Sequence, residues 1–81
     1  MYYVYLIRSV AFPGRHYVGF SENYSQRLKY HNDGKSTHTN KYKPWSLICY
    51  FALNDIQQAK SFEKYLKSGS GRAFLKKHFL R

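Results

Sequence analysis

The chain has 81 residues, 43% hydrophobic and 20% aromatic, which is one domain's worth of chain, too apolar to stay disordered and with a modest core to bury. Fourteen Lys and Arg against four Asp and Glu give a formal charge of +10, a density normally matched by a polyanion, nucleic acid first; a solubilising or anionic-membrane surface is the plain alternative. No stretch approaches the ~20 apolar residues of a membrane helix and no basic leader precedes an apolar run, so no membrane partner is expected and a cytoplasmic location is.

Tyr2 to Ile7 is β-branched and aromatic without a breaker and reads as a strand. Pro13-Gly14 marks a turn, and His16 to Phe20 reads as a second strand, so the pair is expected to form a hairpin. Asn23 to Asn32 reads as a helix, with Asn23 as N-cap, Gln26 three residues on, and Gly34 suited to a left-handed C-cap. Gly34 to Pro44 is polar, basic and without periodicity, hence a loop. Trp45 to Leu53 reads as a strand, and its near-continuous apolar character predicts a central place in the sheet. Cys49, within that run, is the one cysteine; it precludes a disulfide framework or cysteine zinc site and reads as a buried thiol. Asn54 or Asp55 caps a helix running to about Lys67, Ser68 to Gly71 breaks it, and Arg72 to Phe79 forms a short third helix. The order β-β-α-β-α-α predicts a small α/β (α+β) domain, a mainly antiparallel sheet with helices packed on it.

Four acids limit the chemistry. Asp33 and Asp55 sit at helix ends, and Glu22 adjoins the Asn23 cap, where the helix dipole favours an anion. Glu63 has no such explanation. On the second helix it falls within the apolar arc of Ile56, Ala59, Phe62 and Leu66, where a carboxylate is costly unless it pairs or binds a metal. The pairing alternatives are Arg27, or Lys60 and Lys67 at helical spacing. On the first helix, Tyr24, Leu28 and His31 share a stripe with Arg27 at its edge, so Arg27 and His31 lean inward together. A phosphate clamp is one reading; a satisfied core histidine beside a snorkelling arginine is the other. Tyr3 and Tyr5 share one strand face, Tyr17 and Gly19 one face of the next, and a glycine there implies a close approach.

These residues carry a resemblance. Tyr3-Val4-Tyr5 followed by Tyr17-Val18-Gly19 looks like the two strand motifs that name the GIY-YIG nuclease superfamily, with Tyr3 where the name has Gly. Arg27 and His31 resemble its R-x-x-x-H element, and Glu63 its metal-binding glutamate, although no asparagine follows Glu63 as in many members. The segments Tyr2–Ser9, Tyr17–Phe20, Arg27–Gly34, Pro44-Trp45 and Leu66–Arg72 resemble the short single-domain bacterial branch, itself similar to the N-terminal catalytic domain of UvrC-type excinucleases. The resemblance covers almost the whole chain as one domain, residues 1–81. It implies a three-stranded antiparallel sheet flanked by helices, and hydrolysis of a DNA phosphodiester with one divalent cation, Mg²⁺ or Mn²⁺. It further implies that Tyr17 deprotonates or orients the attacking water, Arg27 stabilises phosphate charge, Tyr5 and His31 position the phosphate and assist proton transfer, and Glu63 holds the metal. A single inward carboxylate independently suits a one-metal site better than a two-metal one.

Lys35, Lys41, Lys43, Lys67, Arg72 and Lys76 are the candidate contacts to a nucleic-acid backbone. Ser36, Thr37, Thr39 and Asn40 could add neutral phosphate bonds, Gly69 and Gly71 could expose backbone N–H groups to a phosphate, and Tyr42 or Trp45 could stack on a base, although packing is the simpler reading for Trp45. No helix-hairpin-helix, zinc-finger or RING-like segment is visible, so targeting by a protein partner is expected. The competing function is a nucleic-acid-binding module of the same fold with weak or no catalysis.

Overall fold

The computed structural model describes residues 1–80. Strands β1 (Tyr2–Ser9), β2 (His16–Ser21) and β3 (Trp45–Leu53) form an antiparallel sheet in the order β2-β1-β3. Helices α1 (Tyr24–Asn32), α2 (Ile56–Lys67) and α3 (Gly69–His78) complete the expected β-β-α-β-α-α order.

The expectation that the third strand is central is overturned: β1 is central and β3 is an edge. A bulge explains the misleading pattern. Leu6 pairs with Cys49 but Ile7 with Leu47, so β3 carries one extra residue, Ile48. The extra residue reverses the side-chain alternation midway. Trp45 and Leu47 therefore pack with Tyr5, Ile7, Leu28 and Tyr42 on one sheet face. Cys49, Phe51 and Leu53 pack with Val4, Leu6, Ala59 and Leu66 on the other. A strand that changes faces reads as apolar throughout without being covered on both sides.

The helix boundaries follow from caps. The Asn23 side chain accepts from Gln26 N at 3.1 Å. At the other end Lys35 N bonds Tyr30 O and Gly34 N bonds His31 O, with Gly34 at φ 76°, a Schellman closure that needs the left-handed residue. Asp55 caps α2. Ser68 ends α2 and begins α3, its hydroxyl accepting from Gly71 N at 3.2 Å. So α3 starts three residues before the expected Arg72, and Gly71 N already has a partner instead of facing a phosphate. Gly71 is buried because a Cβ there would overlap the Tyr65 carbonyl oxygen and press on Leu66, so it permits the tight α2–α3 corner.

The loop expected over residues 34–44 contains a one-turn 3-10 helix at Asn40–Tyr42. It is anchored inward, since Thr39 is buried and the Trp45 indole N–H donates to the Thr39 carbonyl at 2.9 Å. The Asn32 carboxamide pairs with both backbone groups of Trp45, tying the end of α1 to the start of β3.

Candidate active site

Tyr5 points from the central strand towards α1. Its partner across β2 is Gly19, where a Cβ would overlap the Tyr5 hydroxyl, so the glycine is the gap through which the phenol reaches. The hydroxyl lies 2.9 Å from His31 Nε2, and His31 Nδ1 lies 2.7 Å from Thr39 Oγ1. Both the phenol and the imidazole are buried, so His31 is a core histidine with both nitrogens satisfied.

Burial, and secondarily the Arg27 charge, push the His31 imidazole down to about 4. At neutral pH it is uncharged and has one N–H to give. The Arg27 guanidinium lies near enough to the Tyr5 hydroxyl to act on its pKa, and a guanidinium can only donate. In the tautomer with its proton on Nδ1, His31 donates to Thr39 and Nε2 accepts from the Tyr5 hydroxyl, which leaves the Tyr5 oxygen free to accept from the Arg27 side. Burial raises the Tyr5 hydroxyl above its ordinary value, outweighing the opposing Arg27 contact, so the phenol keeps its proton. Burial alone would lower Arg27, but the Tyr5 hydroxyl and the neighbouring phenols more than offset it, and its pKa is raised.

Arg27 sits with its guanidinium carbon 4.3 Å from the centre of the Tyr30 ring. Its Nε is buried and has no hydrogen-bond partner among the described residues. A buried donor left over is costly and marks a place where an acceptor belongs. Tyr17 is half-buried, its ring edge-on to His31 at 5.2 Å between centroids. Tyr5, Tyr17, Arg27 and His31 thus form one cluster on the α1 face, near the β2 edge.

Glu63 arrives from the other direction. Its helix packs on the Val4–Leu6 face, against β1 and β2. Of the expected apolar arc, Ala59 and Leu66 are buried and Phe62 half-buried, but Ile56 is 37% exposed at the helix start. Glu63 is at the margin of that arc, its side chain 23% exposed. It accepts from Lys67 Nζ at 3.1 Å, and the same ammonium lies 5.4 Å from the centre of the Tyr17 ring. Lys67 therefore reaches round the β2 edge and links the carboxylate to the tyrosine. Glu63 is also near enough to Tyr5 to raise its pKa, the smallest of the contributions there.

Among the described residues no three His, Cys, Asp or Glu gather as a metal cage. The donor set here is one half-buried carboxylate already holding a cationic group. That fits a cation that takes one protein carboxylate and fills its other positions with water and phosphate oxygens, as magnesium and manganese do, and does not fit a closed zinc site.

The expected backbone contacts divide between two sides. Lys35 shares a hollow with Arg27 and Tyr30, Lys43 Nζ lies close over Gly34, and Lys41 lies 5.8 Å from the Tyr42 ring centre. Lys67 and Arg72 line a hollow with His16 and Tyr17, and Lys76 lies a turn beyond Arg72 on α3. Thr39 is withdrawn from any substrate by its bond to His31, and Trp45 by burial. Of the pairing alternatives the sequence offered for Glu63, the structure forms the one with Lys67. Sequence reading missed the reach of Lys67 to Tyr17 and Thr39 as the partner of His31; nothing in a polar loop singled out Thr39.

The chain and its fold resemble those of known proteins. Over 54 residues the chain is 41% identical to the structure-specific endonuclease subunit SLX1 of Debaryomyces hansenii, a match covering 59% of this chain and 16% of that much longer protein. The solution NMR structure of UPF0213 protein BH0048 from Bacillus halodurans superposes with a TM-score of 0.56 at 26% identity, covering 95% of this chain and 84% of the other. The family model described as GIY-YIG catalytic domain matches residues 1–77, so the chain belongs to the GIY-YIG family.

Proposed function

We propose that the domain is an endonuclease that hydrolyses a DNA phosphodiester, with Arg27 and Tyr17 facing the reacting phosphate and Glu63 holding one divalent cation, Mg²⁺ or Mn²⁺. The observation that carries the reading is the buried Arg27 Nε that lacks an acceptor, beside the buried Tyr5–His31–Thr39 hydrogen-bond chain. A phosphate oxygen supplies that acceptor, and a guanidinium fixed beforehand stabilises charge developing on it without reorganising. Tyr5 and His31, both buried, act as positioning residues: Thr39 orients His31, His31 orients Tyr5, and Tyr5 aims the guanidinium. Tyr17, at the edge of the same cluster, orients the attacking water and, in its phenolate form, accepts the water's proton. The cation, when bound, supplies Lewis-acid polarisation of the phosphate and stabilises the leaving oxygen. Lys35, Lys41, Lys43, Lys67, Arg72 and Lys76 hold the flanking backbone. Targeting by a protein partner goes with this reading: the relative from D. hansenii is by its name a subunit.

One observation favours a second reading, a nucleic-acid binder with weak or no catalysis: Lys67 already occupies the Glu63 carboxylate. The test is nicking of branched, single-stranded and duplex DNA in Mg²⁺ or Mn²⁺ by wild type and Glu63→Gln, with thermal unfolding as a check on the fold. Cleavage lost in a stably folded Glu63→Gln is the expected result. Cleavage kept in that variant sinks the metal role, and binding without cleavage by the wild type in either metal moves the assignment to the second reading.

A further inference from the structure

A second cationic hollow lies beside the first. Arg8, near the end of β1, pairs in register with His16 at the start of β2. Together with Arg72 and Lys76 from α3, and with Gly14 and Leu80, they line a cleft of about 500 Å³. Its ionisable lining residues are all Arg, His or Lys. Arg72 and Lys76 are one helical turn apart, a like-charge spacing that weakens a helix unless something offsets it. Arg8 Nε is buried and has no hydrogen-bond partner among the described residues, the same signature as Arg27 in the candidate active site. Burial first, then the Arg72 and Arg8 charges, hold the His16 imidazole below its ordinary range, so the ring can accept as well as donate near neutrality. His16 and Arg72 also line the hollow that contains Tyr17 and Lys67, so the two spaces share a wall.

We propose that this cleft between the hairpin turn and α3 is a second phosphate-binding site, with Arg8, Arg72 and Lys76 as donors to a phosphate of the same strand that lies at Tyr17. It deepens the nuclease reading only in saying whose phosphate enters; the anion pocket itself does not depend on cleavage. The shared chemistry is a phosphate dianion or diester, and its source is either a strand terminus or an internal backbone position.

The test is run with EDTA present, so that neither metal nor cleavage enters. Inorganic phosphate is titrated while the arginine side-chain N–H signals are followed by NMR, and the Arg8 Nε–H is expected to shift saturably. The anisotropy of a short single strand, with and without a 5′-phosphate, is then compared for wild type and Arg8→Met. Arg8→Met is expected to bind about 10-fold more weakly, as loss of one charge-assisted contact implies. A loss confined to the phosphorylated strand identifies a terminal phosphate, and an equal loss on both identifies a backbone phosphate. An unmoved Arg8 signal, or no loss on either strand, overturns the proposal. Should Arg8→Met fail to fold, Lys76→Met on the exposed side of α3 carries the same comparison. A wild type that binds phosphate here but cuts no DNA would sink the nuclease reading and leave this one standing.

Discussion

At the scale of single residues, His31 resolves an alternative that its sequence position left open. It is a satisfied core histidine and it also belongs to the candidate site, because what satisfies it is Tyr5. Its acid behaviour follows. The folded imidazole titrates at about 4 and the ordinary value is 6.5, so between those two pH values the unfolded chain binds a proton that the fold refuses. The contribution of His31 to stability is therefore complete above pH 6.5 and is lost as pH falls from there towards 4, a change of up to about 3 kcal/mol. The measurement is the His31 ring Cε1–H shift by NMR, which should stay flat from pH 8 down to about 5; a midpoint near 6.5 would show the ring open to water. Gly19 makes a complementary point. Because a Cβ there overlaps the Tyr5 hydroxyl, Gly19→Ala must push the phenol out of line. Overpacking of this kind costs about 1–3 kcal/mol. Cleavage should fall further than that stability loss alone accounts for, read as nicking rate on protein shown by calorimetry to be folded, whereas nicking at the wild-type rate would separate Tyr5 from the site.

At the scale of elements, the strand and helix order was legible because most segments carry their own period and caps. Asn23, Gly34 and Asp55 each mark a boundary by local chemistry that the fold keeps. What could not be read was anything that depends on a neighbour. The bulge at Ile48 disguised an edge strand as a central one, and α3 began early because Ser68 serves two helices at once. Arg27, His31 and Glu63 were visible as inward-leaning polar groups on their helices, but α1 and α2 lie on opposite faces of the sheet. What bridges the two faces at the β2 edge is Lys67, whose ammonium pairs with Glu63 and lies over the Tyr17 ring. An i, i+4 pair of this exposure contributes only a few tenths of a kcal/mol to the helix. Its removal should therefore cost little stability while changing what Glu63 can hold. Lys67→Met should bind Mn²⁺ several-fold more tightly than wild type, followed by the loss of the free-ion EPR signal, since the metal no longer displaces an ammonium. Unchanged or weaker Mn²⁺ binding in a folded Lys67→Met would show that the carboxylate is not the cation's ligand.

At the scale of the whole molecule, the charge of +10 is less a uniform coat than two banks at separate hollows. Three of the four acids are already engaged: Glu63 with Lys67, Asp33 with Lys29, and Asp55 in its helix cap. The loop bank of Lys35, Lys41 and Lys43 lies on the α1 side with Arg27, and the Lys67, Arg72 and Lys76 bank on the β2 and α3 side with Tyr17. A strand laid across both would place a phosphate between Arg27 and Tyr17 and neutralise about six charges, for a log–log salt slope of about −5 on duplex DNA. The two-bank geometry makes a sharper demand than the total. Changing the three loop lysines to Gln should reduce the slope by about 3, and changing Lys67, Arg72 and Lys76 to Gln should reduce it by a similar amount, each read by anisotropy from low to moderate salt in EDTA. A slope that collapses with one triple variant and ignores the other would mean that DNA rests on a single bank. The reacting phosphate would then lie at one hollow instead of between the two, and Arg27 and Tyr17 could not both reach it.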